Sequence, residues 1–204
     1  MGPLGIAGLD VSRETSEKLE ALAALTLKWT NKINLISRST REDIQDRHIR
    51  DSAQLFLLAP TSWISWTDLG SGGGYPGLVI ATLASGRQRV TLIESDARKC
   101  TFLRTAIREL DLPASVVNER IENANLVSSD VVSARALAPL ESLLSYTEHL
   151  LKKDGVALFP KGRGYLDEIA AAHRNWAFEH EALPSITSPD ARILRLSGIN
   201  RRGS

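Results

Sequence analysis

A run of glycines stands where an apolar, strand-like segment gives way to an apolar, helix-like one: Asp68-Leu69-Gly70-Ser71-Gly72-Gly73-Gly74-Tyr75-Pro76-Gly77. Glycine admits backbone angles closed to other residues and lets a ligand come close to the main chain. A helix that starts just after such a loop offers its first amides to a polar ligand. The chain on either side repeats the same alternation. Strands are expected at Ile64–Leu69, Arg89–Glu94, Ala114–Val117, Asp130–Ala134 and Val156–Pro160, and helices at Leu78–Ala84, Ala97–Leu110, Pro139–Leu150 and Tyr165–Asn175. Such a rhythm specifies a mostly parallel sheet covered on both faces. Two further strands, Phe178–Leu183 and Arg192–Leu196, are joined by too short a segment for a crossover helix, so they are expected as an antiparallel edge pair. The fold class is α/β, a Rossmann-like sheet.

Ahead of the sheet, apolar residues Leu19, Leu22 and Trp29 recur with Thr26 at spacings of three and four, predicting a helix over Ser12–Thr30 with Ser12 as its cap. A second helix is expected from Arg41 to Leu58, with Ile44, His48, Ser52 and Leu55 on one side and Pro60 beyond its end. Residues 1–62 therefore read as a helical extension, with a glycine-bearing lead-in (Gly2, Pro3, Gly5, Gly8), and residues 63–204 as the core.

The 204 residues suit one core of this kind. A net charge of +1 supplies no global field toward nucleic acid, so any such contact must come from a local basic cluster. Candidates are Arg38, Arg41, Arg47, Arg50, Lys161, Arg163, Arg201 and Arg202, interspersed with Glu42, Asp43 and Asp46. The single cysteine, Cys100, offers neither an internal disulfide nor a metal cluster and fits a reducing cytoplasm. No metal site, membrane span or signal peptide is expected.

A tight strand-to-helix turn explains one or two glycines, not five in eight residues beside two strand-end acids. The spacing Gly72-x-Gly74-x-x-Gly77 formally matches a dinucleotide fingerprint. Asp68 argues for S-adenosylmethionine instead: an acid there can accept from the cofactor's ammonium, whereas it would repel a pyrophosphate. Glu94, at the end of the second strand, can accept both ribose hydroxyls, which fits either adenosine ligand.

The chain resembles the bacterial 16S ribosomal RNA guanine-N7 methyltransferases, the RsmG or GidB family. The likeness runs from about Trp29 to Lys161. It rests on Lys28-Trp29-x-x-Lys32-x-Asn34-Leu35, Arg47-His48-x-x-Asp51-Ser52, the glycine segment, Leu92-Ile93-Glu94-Ser95 and Lys99-x-x-Phe102-Leu103-Arg104. It continues through Arg120-Ile121-Glu122, Ser133-Ala134-Arg135-Ala136 and Lys161-Gly162. One departure is Ile36, where members often carry threonine. The resemblance implies a cofactor site at Gly70, Tyr75, Ile121, Glu122 and Arg135, joined by Asp68, Gly72, Gly74 and Glu94 from the reading above. It also implies a target guanine in a small-subunit RNA loop near the decoding region. Arg47, His48, Asp51, Arg135 and Lys161 are the candidates on the target side, and the enzyme is expected to act as a monomer.

That chemistry agrees with what the chain lacks. Guanine N7 already carries a lone pair, so alignment and exclusion of water suffice without a general base. Pyrimidine C5 methylation needs a cysteine nucleophile, and Cys100 falls inside a helix. Adenine amino methylation would call for Asn-Pro-Pro-aromatic after the fourth strand, where this chain has Ser133-Ala134-Arg135-Ala136-Leu137-Ala138-Pro139. His48 and Asp51 share a helix face and serve either the site or helix docking. Trp29 is read as core rather than a stacking platform. Two rivals stay open. An NAD-dependent oxidoreductase should show Tyr-x-x-x-Lys, which Tyr75, Tyr146 and Tyr165 do not. A binding module would hold cofactor without turnover.

Overall fold

The computed structural model describes Gly5 and residues 8–203; Gly2 and Pro3 of the expected lead-in lie outside the described residues. Helix α1 spans Arg13–Thr30, and its capping residue is Ser12, whose Oγ accepts from Thr15 N at 3.1 Å. Its apolar face buries Leu19, Leu22 and Ala23 completely or nearly so. Burying a leucine side chain contributes ~1.5–3 kcal/mol, which ties α1 firmly to the helices beneath it.

The second expected helix is not continuous. Residues Arg38–Thr40 form a 3₁₀ turn, Gln45–Arg50 a π-helical turn, and only Asp51–Leu58 a regular helix, α2. The Arg47 carbonyl in this widened turn accepts from Arg135 Nη1 at 3.0 Å, a partner 88 residues away that helical periodicity does not register. The expected face survives: Ile44, His48, Ser52 and Leu55 are all buried.

The core alternates as its sequence rhythm requires. Its elements are β1 (Ser65–Leu69), α3 (Gly77–Leu83), β2 (Arg89–Ile93), α4 (Ala97–Leu110), β3 (Ala114–Val117), β4 (Ser129–Ala134), α5 (Leu140–Leu150), β5 (Leu151–Lys161), α6 (Tyr165–Ala172), β6 (Trp176–Pro184) and β7 (Arg192–Arg201). The sheet order is β3-β2-β1-β4-β5-β7-β6. Strands β1 to β5 run parallel to one another, and β7 runs antiparallel to both β5 and β6. Strand β5 starts earlier than expected because Leu151 pairs with Ser129 across a bulge, and β7 runs on to Arg201 because Arg201 pairs with Trp176.

One face of the sheet packs Trp66, Leu78, Leu92 and Phe102 against Leu19, Leu22, Ile49 and Leu55 of the N-terminal helices; the other packs Leu69, Val132, Leu144, Phe159 and Trp176. Trp29 belongs to the first cluster, 5.7 Å from the Phe102 ring. Cys100 is fully buried, with its thiol donating to the Glu94 carbonyl at 3.2 Å. Strand order reverses between β1 and β4, and in open α/β sheets the crevice above that point takes the ligand.

Candidate cofactor and acceptor site

A cavity of about 1320 Å³ opens there, at the carboxyl ends of the parallel strands. Its first wall is the glycine loop. Ser71 N donates to Ile93 O at 2.9 Å and Gly72 N to Glu94 Oε2 at 2.8 Å, so the loop is fastened to the end of β2. Gly70, Gly72 and Gly74 all have positive φ, which other L-residues adopt at a cost. A Cβ at Gly72 would meet nothing nearer than 3.7 Å, so the backbone there is open to a ligand. Glu94 is nearly buried and lines the cavity. Its second oxygen accepts from Asp96 N at 2.8 Å. A carboxylate oxygen can accept twice, so each retains an acceptor site for a hydroxyl. Ile121 adds half-buried apolar surface, and Glu122 lies beside it, hydrogen-bonded to Tyr146, whose pKa that bond raises.

Asp68 and Gly74 do not line the cavity. Asp68 is fully buried beneath the loop: Ser133 Oγ donates to Oδ1 at 2.7 Å, and Gly77 N donates to Oδ2 at 3.2 Å. Ser133 in turn accepts from Trp66 Nε1 at 2.8 Å. Burial pushes the Asp68 carboxyl up to about 6, although these donors and Arg135 pull the other way. Its geometry is that of an acid tying the loop to β4. Gly74 is packed underneath, where a Cβ would lie 2.3 Å from Leu78 Cδ1.

The second wall centres on Arg135, just past β4. Its Nη1 donates to Arg47 O at 3.0 Å and to Asp51 Oδ2 at 3.3 Å, and its Nη2 donates to His48 Nδ1 at 2.7 Å. The guanidinium carbon stands 5.5 Å from the Tyr75 ring centroid. Because arginine only donates, His48 Nδ1 is the acceptor and its proton sits on Nε2, 2.8 Å from Thr40 Oγ1. Burial, then the charges of Arg135 and Arg47, lower the His48 pKa to about 4. His48 is therefore neutral near pH 7 and acts as a ligand of Arg135 rather than a proton shuttle. Tyr75 is buried against the His48 ring, hydrogen-bonds Thr26 Oγ1 at 2.9 Å, and is pushed by burial to about 12.

Lys161 ends β5, and its Nζ donates to Glu168 Oε2 at 2.7 Å and Ala138 O at 2.9 Å. Glu168 Oε2 also accepts from Leu140 N. The pair fixes the far end of the loop after β4, in which Ala136 has φ of 50° and Leu137 lies against Gly70.

The expected basic cluster divides. Arg47 lines the cavity mouth, as does Arg192, which sequence reasoning did not select. Arg50 pairs with Asp46, and Arg163 with Asp190. Arg201 and Arg202 stand at the other end of β7, ten residues or roughly 30 Å from Arg192. There Arg201 meets Glu148 and the Trp176 ring. They are not part of the cleft mouth, because β7 carries them across the whole sheet.

Thr187, Gln54 and Glu168 hold this site together and were not visible in the sequence. Their bonds to Asp51 and to the loop after β4 join segments with no shared local pattern. Among the described residues, no group of His, Cys, Asp or Glu is placed to hold a metal, and no helix is long and apolar enough to cross a membrane.

Solved structures place this architecture. An O-methyltransferase from Bacillus cereus in complex with SAH superposes with a TM-score of 0.58 at 14% identity, over 94% of this chain and 93% of that one. A TehB-like SAM-dependent methyltransferase from Corynebacterium glutamicum gives 0.59 at 17% identity, over 85% and 98%. The fold is that of the class I S-adenosylmethionine-dependent methyltransferases. Within that class, the family described as rRNA small subunit methyltransferase G (GidB) matches residues 15–194. A ribosomal RNA small subunit methyltransferase G from Cereibacter sphaeroides is 52% identical over 197 residues, 95% of this chain and 96% of its own length. The chain belongs to this family. That membership sets aside the NAD-dependent oxidoreductase.

Proposed function

We propose that this protein transfers a methyl group from S-adenosylmethionine to N7 of one guanine in the 16S RNA of the small ribosomal subunit. The supporting observation is the placement of two chemically distinct walls on one cavity. The glycine loop, open at Gly72, lines this cavity together with Glu94 and Ile121, which we assign to the cofactor, and with Arg135, which we assign to the acceptor. Glu94 retains acceptor capacity for two hydroxyls, Gly72 leaves room for close approach, and Ile121 supplies apolar surface for a base. When bound, S-adenosylmethionine supplies a methyl group activated by its sulfonium.

The chain's own residues then have limited work. Guanine N7 attacks through its lone pair: the N–C bond forms as the C–S bond breaks, and no proton leaves. A neutral His48 agrees with this. Three of the five N–H groups of Arg135 are engaged within the protein, which leaves two. A guanidinium held this firmly can donate to guanine O6, fix the base in line, and resist reorganisation as charge shifts. Arg47 and Arg192 at the mouth suit RNA phosphates. Lys161 contributes by holding the loop after β4. We assign the N-terminal helices of residues 1–62 as the cover that brings Arg47, His48 and Asp51 onto the core of residues 63–204. We read the enzyme as a cytoplasmic monomer, which sedimentation of the purified protein checks.

The decisive experiment incubates the protein and labelled S-adenosylmethionine with 16S RNA and with 30S particles from cells lacking the gene. Cleavage selective for N7-methylguanine then maps the label. Label at one guanine is expected. Tight binding of S-adenosylhomocysteine with no label on either substrate overturns the RNA assignment and leaves a binding module or another acceptor.

A further inference from the structure

We propose that Thr187, assisted by Gln54, is a positioning residue that sets Arg135 for the methyl acceptor, and so couples the β6–β7 loop to the transfer step. The inference rests on the methyltransferase reading above and goes beyond it, because neither residue carries a role there.

The argument begins with Asp51. One of its carboxylate oxygens, Oδ2, accepts from Arg135; the other, Oδ1, accepts from Thr187 Oγ1 at 2.6 Å and from Gln54 Nε2 at 2.9 Å. Thr187 lies 136 residues further along the chain, in the segment between β6 and β7. Gln54 is almost fully buried, and its amide orientation is fixed from both ends. Its Oε1 accepts from Ile186 N at 3.0 Å, while the two hydrogens of Nε2 are shared among Asp51 Oδ1, Asp51 O at 3.0 Å and Ser185 Oγ at 3.3 Å. A flipped amide would set its NH2 against the Ile186 N–H. The β6–β7 loop is thus fastened at Ser185, Ile186 and Thr187 to the helix that carries Asp51.

A carboxylate has a fixed shape, so the direction of Oδ2 follows from what holds Oδ1. With Thr187 and Gln54 in place, Oδ2 is presented to Arg135 and the ion pair is held about one-fifth exposed. Without the Thr187 hydroxyl, Oδ1 keeps only the Gln54 amide at 2.9 Å, and the carboxylate turns more readily about its side-chain torsions. Arg135 then keeps His48 and the Arg47 carbonyl, while its 3.3 Å bond to Asp51, its one carboxylate partner among the described residues, weakens. Ser185 and Ser188 of the same loop line the cavity. A nucleotide lying against these serines therefore meets a loop that is mechanically joined to the guanidinium.

The test replaces the hydroxyl alone. Thr187→Val keeps the shape and removes the donor; Thr187→Ser keeps the donor. In single-turnover methylation of the 30S particle, T187V is expected to slow transfer roughly tenfold, the equivalent of one hydrogen bond to a charged group. S-adenosylhomocysteine affinity and melting temperature should stay near wild type, and T187S should restore the rate. Adding T187V to Arg135→Lys should cost nothing further. Wild-type transfer by T187V, a serine variant as slow as valine, or a loss shared equally by cofactor affinity each overturns the proposal. NMR titration of the His48 ring gives a readout that needs no RNA. His48 faces Arg135, Arg47, Tyr75 and Thr40. If Arg135 drifts in T187V, the ring should titrate above the wild-type value of about 4, and an unchanged titration counts against the proposal. Should the wild-type enzyme fail to label RNA, the functional reading falls and this titration still judges the positioning role.

Discussion

The two walls of the cavity are built by different means. The cofactor wall is mainly backbone, a short glycine loop pinned by Ser71 N to Ile93 O and Gly72 N to Glu94, with the Glu94 and Ile121 side chains beside it. The acceptor wall is made by side chains from distant segments: Arg135 reaches His48 across 87 residues and Asp51 across 84, and Asp51 reaches Thr187 across 136. A backbone wall fails through glycine positions and shows the failure as lost stability or cofactor affinity. A side-chain wall fails through one long residue and shows it as lost transfer.

The sharpest way to break this contrast is Arg135→Lys. Lysine keeps the charge and loses the fork, so three bonds cannot be satisfied at once. With bonds to charged groups worth ~1.5–3 kcal/mol each, single-turnover transfer should fall about a hundredfold or more. Calorimetric affinity for S-adenosylhomocysteine should change little. A parallel collapse of cofactor affinity would mean the walls are not separate.

On the backbone side, Gly74 and Gly72 separate packing from dihedral strain. A Cβ at Gly74 would lie 2.3 Å from Leu78 Cδ1 and 3.2 Å from Leu103 Cδ2, at a φ of +85°. The left-handed conformation costs ~1–2 kcal/mol and overpacking ~1–3 kcal/mol, so Gly74→Ala should destabilise by ~2–5 kcal/mol in urea unfolding. Gly72 has φ of +54° but no close neighbour, so Gly72→Ala should show only the dihedral cost of ~1–2 kcal/mol. Equal losses at the two positions would show that Leu78 and Leu103 simply move aside.

Glu94→Gln probes where the two walls' chemistries are closest. Its carboxylate accepts from two backbone amides, Gly72 N and Asp96 N. An amide offers one oxygen and sets its NH2 against the other N–H. Affinity for S-adenosylhomocysteine should drop about tenfold, with the glycine loop loosened in hydrogen exchange at Gly72. Unchanged affinity would remove Glu94 from the cofactor wall.

The same contrast explains what the sequence made legible. Strand–helix alternation, the glycine loop and Glu94 are local patterns, and the structure carries them with shifts of a few residues at element ends. Helix α4 has the expected bounds because Asp96 caps it and Asp111, in the left-handed region, ends it. Asp68 shows what a local pattern leaves open. Whether a strand-end acid points up into the crevice or down beneath the loop is decided by Ser133 and Trp66 on neighbouring strands. The π-helical turn escaped for a similar reason, since Arg47 O finds its partner on another segment. Charge alone groups Arg201 and Arg202 with the cleft, but the length of β7 separates them from it.

The smallest expected effect sets the walls against each other through pH. His48 titrates at about 4 in the fold against an ordinary 6.5, so the unfolded chain binds its proton more tightly. Its contribution to stability is complete above pH 6.5 and is lost as pH falls toward 4. Asp68 is raised to about 6 from 3.8, so the folded chain holds its proton more tightly. Lowering pH from 6 to 4 therefore adds stability, and the buried charge is a cost above pH 6. The two slopes oppose in one window, and the wild-type melting temperature should vary little across it. His48→Gln leaves the Asp68 slope, so its melting temperature should rise as pH falls from 6.5 to 4. Asp68→Asn leaves the His48 slope, so its melting temperature should fall over the same range. Asp130 lies well below the ordinary carboxylate range, held there by Lys152 and the amides of Ile64 and Ser65 against the cost of burial, so its own loss begins only below this window. Two variants with the same slope would show that neither group's burial survives in solution as drawn. Opposite slopes would place a neutral imidazole beside Arg135 and a partly protonated acid beneath the glycine loop at the same pH.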